Sequence, residues 1–318
     1  MTRFRVAPLL ESRLAGLSLS AQPGHFSFQR GGAVAVAVTA IFLGGVTAAL
    51  SGAKATSLAC ALLLMIGLPH GALDIAAIGR VASATLRIVI AAYVGAGMAM
   101  LAVWWASPLA GLAIFYLISV AHFADDWNAE YQPFFGHATA IALLSAPTFL
   151  HGDMLRQLFV ALTQDARAAR LVDLLILAAP VATAIALLGV VAMGSRQRSA
   201  EIVCALTAMV ILPPVAGFAV FFCLFHSPRH FREGWTALGS AEKPRTAMLI
   251  AAMTLVSFGI AASIYAALEV RGADVALFQA SMMTLSALAV PHMLLTTILK
   301  HTAPRATRFT GASRAAAG

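Results

Sequence analysis

Long apolar runs, separated by short segments that carry the charged residues, are the dominant pattern of this chain. A helix needs about 20 mainly apolar residues to cross a bilayer, and nine runs approach or exceed that length. They lie at residues 33–50, 56–78, 84–106, 109–127, 134–150, 171–193, 200–226, 246–268 and 276–300. The pattern predicts an all-α fold: a polytopic bundle of helices in a membrane.

The composition supports a membrane protein and excludes several other classes. Of 318 residues, 60% are hydrophobic and 11% are charged, whereas soluble domains are about 45–50% apolar and about 25% charged. The same figures exclude a disordered chain, a collagen-like fibre and a disulfide scaffold. Three cysteines lie inside apolar runs, where we expect them to be small core residues: Cys60, Cys204 and Cys223.

The basic residues predict the topology. The net charge is +8, but the positive charges lie between the apolar runs and form no basic stripe, so no nucleic-acid partner is expected. If residues 134–150, flanked by Pro133 and interrupted by Pro147, do not cross, 17 of the 21 Lys and Arg residues lie on one side. The positive-inside rule then favours about eight crossings with both termini in the cytoplasm. We expect a multi-pass protein of the cell inner membrane, with Arg229 and Arg232 marking the cytoplasmic edge.

Three regions follow from this topology. Residues 1–32 are predicted to be a polar cytoplasmic N-terminal tail, residues 33–301 a transmembrane catalytic bundle, and residues 302–318 a disordered C-terminal tail. The longest connection, about 150–170, is predicted to be a polar loop. The function is therefore expected to reside inside the bilayer.

Polar residues four positions apart occur on three of the apolar runs. Ionisable side chains are costly at membrane depth and are candidates for function, and residues four apart share one face of a helix. The pairs are His70 with Asp74, His122 with Asp126 (beside Asp125), and His226 with His230; a further run contributes His292. The remaining histidines, including His137 and His151, are expected to lie at interfaces or in solvent.

This pattern predicts a metal centre. Imidazole binds iron, copper, nickel and zinc, and a carboxylate can bind the metal or orient a histidine. Helix bundles build metal sites from side chains on facing helices. No cysteine belongs to the cluster, which argues against a thiolate site, and several imidazoles with open positions suit a redox metal that binds oxygen. Hydrogen bonding between helices is the alternative for each histidine taken singly.

Four motifs resemble those of the Brp/Blh family of integral-membrane β-carotene 15,15′-dioxygenases. They are GLPHGALDI, AHFADDW, FHSPRH and VPHMLL, and the resemblance extends from about residue 60 to 300. It implies that O2 cleaves the central double bond of β-carotene into two molecules of all-trans-retinal. It also implies a non-haem Fe(2+) on the catalytic residues His70, His122, His226 and His230, with His292 as a further ligand or close neighbour.

The resemblance extends to supporting residues and partners. Asp74 and Asp126 are expected to orient His70, His122 or neighbouring histidines. β-Carotene would reach the site from the surrounding membrane lipid, and a microbial rhodopsin would receive the retinal.

Two other functions stay open at this point. A membrane di-iron hydroxylase or desaturase acting on a lipid also uses histidines near helix ends, but the chain has one HxxxH box, from His226 to His230. A proton-coupled transporter could use intramembrane His and Asp on proline-broken helices.

Overall fold

The computed structural model describes residues 52–67, 71, 73, 83–127, 132–193, 196–236 and 238–302. These residues form helices and connections, with no strand among them, which confirms the all-α class. The predicted N-terminal tail, the apolar run 33–50, His70, Asp74 and nearly all of the predicted C-terminal tail lie outside the described residues.

The described helices follow one another with short connections. They are α1 (Gly52–Leu62), α2 (Ser83–Ala106), α3 (Pro108–Asp125), α4 (Pro133–Ser145), α5 (Thr148–Thr163), α6 (Ala169–Met193), α7 (Arg196–Ile211), α8 (Pro214–Val220), α9 (Ser227–Thr236), α10 (Lys243–Leu268) and α11 (Ala273–Thr302). π-Helical turns extend α1 (Leu63–Gly67) and join α8 to α9 (Phe221–His226), and 3-10 turns at Ala166–Ala168 and Glu269–Arg271 precede α6 and α11.

Five described helices are long and apolar enough to cross a membrane: α2, α3, α6, α10 and α11. A sixth crossing results if α4 and α5, which meet at an angle of 67°, are taken as one broken span. The chain is therefore a multi-pass membrane protein. The predicted number of eight crossings is not confirmed by the described residues.

Two stretches differ from the prediction. Residues 148–163 form α5, so the loop predicted at about 150–170 is wrong. Apolar residues recur there at helical spacing, which buries Leu155 and Leu162 on one face while charged residues occupy the other. The predicted continuous run 200–226 is also wrong, because the chain breaks between α7 and α8. Pro213 takes an extended conformation there (φ −50°, ψ 143°), and the residue before a proline, here Pro214, disfavours the helical region.

Helix α11 lies at the centre of the bundle. In its most apolar stretch 61% of the residues are buried, against 11–33% in the other four long helices. Helix α2 approaches it closely at Gly97, where a Cβ atom would lie 2.9 Å from the carbonyl oxygen of Ala287. Cys60 and Cys223 are buried in the surrounding core and Cys204 is half-buried, all as free thiols, as predicted.

Candidate metal centre

Four of the five predicted histidine ligands converge at one end of the bundle. His122 lies in the last turn of α3, His226 ends the second π-helical turn, His230 lies in α9 and His292 in α11. The His122 ring centroid is 4.7 Å from that of His226, 5.7 Å from that of His230 and 5.1 Å from that of His292. Side chains far apart in the sequence thus form one compact cluster, which lies within the structure rather than at a helix end in solvent.

A single carboxylate joins two of these rings. Oδ2 of Asp126 is 2.8 Å from Nδ1 of His226, and its Oδ1 is 2.7 Å from Nε2 of His230. The carboxylate and the His226 ring are 1% and 0% exposed. An ionised carboxylate only accepts hydrogen bonds, so His226 donates from Nδ1. A neutral His226 ring then presents the lone pair of Nε2, and Asp126 orients the histidines of the third motif, His226 and His230, rather than His122.

The nitrogen atoms are spaced as a bound metal requires. Nε2 of His122 and Nε2 of His226 face each other at 3.1 Å. Two imidazole nitrogens about 2.1 Å from one metal, at right angles, lie about 3 Å apart. One ligand atom each from Asp126, His226 and His230 also lies within 4.8 Å of the others. Imidazoles bind iron(II), and a carboxylate that accepts hydrogen bonds from them fixes their orientation, so the residues present fit the expected ion.

A π-helical turn explains where His226 points. The extra residue in each such turn changes the direction of the side chains that follow, and these turns are frequent at functional sites. Cys223 and Ser227 donate hydrogen bonds across to the carbonyl oxygens of Leu62 (3.4 Å) and Ile66 (3.1 Å), around the π-helical turn that extends α1. The two irregular turns therefore brace each other and hold His226 in place.

Aromatic rings close the cluster on one side. The Phe222 ring stacks on the His226 ring with centroids 5.1 Å apart. The Phe123 ring lies edge-on to the His226 ring, with centroids 4.9 Å apart. Such walls keep water away from the nitrogen atoms and strengthen the electrostatic interactions inside the cluster.

Arg229 has a role that the sequence did not suggest. It was expected to mark the cytoplasmic edge, but its side chain is 12% exposed and its Nη2 is 2.6 Å from Oε2 of Glu201. Its Nη1 donates to the backbone oxygen of Asp126 at 3.3 Å, and its guanidinium lies 4.9 Å from the centre of the Trp127 ring. Glu201, a carboxylate inside the apolar run 200–226, could have indicated from the sequence that a basic residue pairs with it inside the bundle.

The other candidate residues lie apart from the cluster. The side chains of Asp125 and His137 are exposed, and a ring nitrogen of His137 is 2.7 Å from the backbone oxygen of Pro133. Nε2 of His151 is 3.1 Å from the backbone oxygen of Ile211. These residues provide matched controls for substitutions within the cluster.

Comparison with known proteins identifies the family of this chain. The model of the family described as beta-carotene 15,15′-dioxygenase matches residues 60–300, a stretch that contains all four histidine motifs. The chain is similar to a beta-carotene 15,15′-dioxygenase from an uncultured marine bacterium (66A03), with 29% identity over 256 residues, which cover 74% of this chain and 91% of the relative. No solved structure matches the chain. Since the family match covers most of its length, the chain belongs to the β-carotene 15,15′-dioxygenase family, whose members are carotenoid-cleaving enzymes.

Proposed function

We propose that this protein is an iron(II)-dependent dioxygenase that cleaves the central double bond of β-carotene and releases two molecules of all-trans-retinal. The carbon–carbon double bond breaks, and each of its two carbons takes one oxygen atom of O2 to become an aldehyde. The convergence of four histidines beside an apolar cavity carries this proposal, in a chain of this family.

The histidines are suited to hold the ion, and Asp126 is suited to orient two of them. His122, His226 and His230 would hold it, together with His70 from the first motif, and His292 lies beside them. Iron(II), when bound, supplies the electrons and the open coordination positions through which O2 becomes reactive. The part played by Asp126 is to fix which nitrogen of His226 carries the proton, so that Nε2 is a ligand without a change of tautomer.

An apolar cavity brings the substrate to the cluster. It is lined by Phe115, Phe218 and Phe222 on one side and by residues of α11 on the other, and both His122 and His292 form part of its wall. β-Carotene has no polar group to bind, so shape and length have to select it. Flat aromatic walls suit a flat polyene and exclude water from it.

The membrane setting determines how substrate and product travel. We propose an inner-membrane location with both termini in the cytoplasm, following the distribution of basic residues. β-Carotene dissolved in the lipid would enter sideways between helices, and the retinal would return to the same bilayer. A microbial rhodopsin is the proposed recipient.

Expression in cells that accumulate β-carotene tests the proposal. The wild-type chain should bleach the cells and form retinal. His226→Ala should lower retinal formation by at least about 100-fold, because loss of a supporting residue alone costs 10–100-fold at metal sites. His137→Ala removes an exposed histidine and should behave as the wild type. Chromatography of the pigments measures all three.

Unchanged β-carotene in cells whose membranes contain the iron-loaded wild-type protein would contradict the proposal. A hydroxylated or desaturated lipid in the same extract would then support a di-iron hydroxylase or desaturase. Absence of any bound metal from the purified protein would instead favour the transporter.

A further inference from the structure

Two apolar cavities lie in a row along α3. The near cavity is the one beside the histidines, and His122 and Phe123 form part of its wall. The far cavity is lined on the same helix by Leu112 and Tyr116, further from the histidines. The two cavities are neighbours, because three side chains line both of them. These are Phe115, Ser119 and Phe218.

Two breaks in the helices border the far cavity. Pro147 lies where α4 and α5 meet at 67°, and Pro214 lies where α8 begins. Both prolines line the far cavity. A helix that bends sharply or begins anew at a proline leaves the regular packing of its neighbours, so space remains beside the break. The far cavity therefore originates in the two irregular connections and not in the histidine motifs.

The far cavity is too small for a carotenoid and large enough for a diatomic gas. Its volume is about 100 Å³, and that of the near cavity is about 40 Å³. For comparison, an engineered apolar cavity of about 150 Å³ stays dry and binds xenon. An O2 molecule is smaller than a xenon atom, so both cavities have room for it.

The wall of the far cavity favours an apolar occupant over water. None of the described residues that line it is charged, and Tyr116 and Ser119 carry its side-chain hydroxyl groups. The Ser119 hydroxyl donates to the backbone oxygen of Phe115 at 2.8 Å. A buried water molecule needs about two to four polar partners, whereas an apolar molecule such as O2 gains from leaving water for apolar surroundings.

We propose that the far cavity is a dioxygen pocket from which O2 reaches the histidine cluster. This inference rests on the proposed function and names the residues that supply its second substrate. O2 dissolved in the lipid would collect in the far cavity and pass between Phe115 and Phe218, over the small side chain of Ser119, into the near cavity. Because a carotenoid is too large to enter the far cavity, this route stays open when β-carotene is bound.

Filling the far cavity tests the inference. Leu155 of α5 is buried and lines the far cavity. None of the α5 residues that the structure describes lines the near cavity, so Leu155→Trp takes up space for O2 without changing the wall beside the histidines. Leu150→Trp is the matched control, because it makes the same substitution on the outer surface of α5, where Leu150 is 64% exposed.

The expected result is weaker use of O2 with unchanged use of β-carotene. In Leu155→Trp the kcat/KM for O2 should fall about 10-fold, which corresponds to an open route in about one tenth of the molecules, because apparent affinity scales with the competent fraction. The kcat/KM for β-carotene, measured at saturating O2, should stay near the wild-type value. Leu150→Trp should match the wild type for both substrates.

Xenon gives a second measurement that does not depend on catalysis. Xenon NMR of the purified wild-type protein should show xenon bound in the far cavity, since apolar cavities of this size class bind it. The signal of bound xenon should persist in Leu150→Trp and be lost in Leu155→Trp.

An unchanged kcat/KM for O2 in Leu155→Trp, or an equal fall for both substrates with iron still bound, would overturn the inference. Equal binding of xenon to this variant and to the wild type would also overturn it. If Leu155→Trp is not recovered from membranes, Leu112→Trp fills the same cavity from α3 and is judged by the same measurements. Failure of the proposed function gives a different result, since the wild-type protein would then bind xenon but form no retinal.

Discussion

Two buried polar side chains of α11, Gln279 and His292, differ in what surrounds them. His292 lies in the histidine cluster, and Gln279, 13 residues earlier, lies about 20 Å away along the helix axis. The Gln279 side chain is 1% exposed and donates to the backbone oxygens of Ala161 (2.9 Å) and Leu162 (3.1 Å). Its Oε1 accepts a hydrogen bond from Arg271 at 3.1 Å.

This difference indicates different roles for the two side chains. The amide of Gln279 meets complementary partners, and its bonds tie the end of α5 to α11, so nothing further is needed to explain it. At the other end several imidazoles crowd together, and two of their nitrogens, on His122 and His226, face each other. A cluster with this concentration of lone pairs is suited to binding a cation. Substitutions near the histidine cluster should therefore lower iron binding and activity, whereas a substitution at Gln279 should lower stability.

The largest effect is expected from Asp126→Ala. This change leaves Nδ1 of His226 and Nε2 of His230 without their shared acceptor in a buried site. We expect about a 100-fold loss of retinal formation together with loss of iron, at the upper end of the 10–100-fold that partners of metal-bound histidines contribute to affinity or activity. Metal analysis and product chromatography on the purified variant measure the two effects.

The neighbouring carboxylate serves as the control. Asp125 has an exposed side chain, and Asp125→Ala should retain iron and activity. Equal losses in both variants would show that negative charge at this helix end, rather than the contacts of Asp126, supports the site.

A smaller effect is expected from Arg229→Gln. The variant loses the strong ion pair with Glu201 and the contact with the Asp126 backbone, so the end of α3 is held less firmly. Iron affinity should fall about 10-fold, at the lower end of the range for supporting residues, and Arg229→Lys should restore part of it. Iron titration of the metal-depleted protein gives the affinity. Arg232→Gln, at an exposed position on the same helix, is the control, and an equal fall in that variant would contradict a specific role for Arg229.

The smallest effect on chemistry is expected from Gln279→Leu. Loss of the hydrogen bonds from Gln279 to the backbone oxygens of Ala161 and Leu162 should lower the free energy of unfolding by about 1–3 kcal/mol, although the Ala161 oxygen still accepts from Gln164. The fraction that stays folded should bind iron and form retinal at the wild-type rate. Thermal unfolding measures the stability of the variant, and the activity per bound iron measures its chemistry. Gln157→Leu, on the exposed face of α5, is the control and should change neither stability nor activity. Loss of iron from Gln279→Leu would show that the Gln279 end of α11 also supports the histidine cluster.

The sequence predicted the membrane fold and much of the site because both depend on local pattern. The length of the apolar runs indicates which helices span the membrane, and a spacing of four residues places His226 and His230 on one side of a helix. It did not predict that Asp126 would contact His226 and His230, since the pairing depends on how α3 packs against α9. The contacts of Arg229 were not predicted for the same reason: its partner Glu201 is 28 residues away on α7.

The remaining differences also have physical causes. The break before α8 depends on the extended conformation at Pro213, and the apolar spacing of α5 was hidden by its charged residues. The apolar cavity beside His122 and His292 is a space between several segments, so no single stretch of sequence specifies it.

Iron held by the histidine cluster is proposed to cleave β-carotene at its middle. The most direct test removes the metal from the purified protein, restores iron(II) in steps, and measures retinal formed per β-carotene consumed. We expect two retinals per β-carotene, formed at a rate proportional to bound iron. In His226→Ala, added iron should not restore retinal formation. Undiminished cleavage by the metal-free protein, or a product other than retinal, would contradict it.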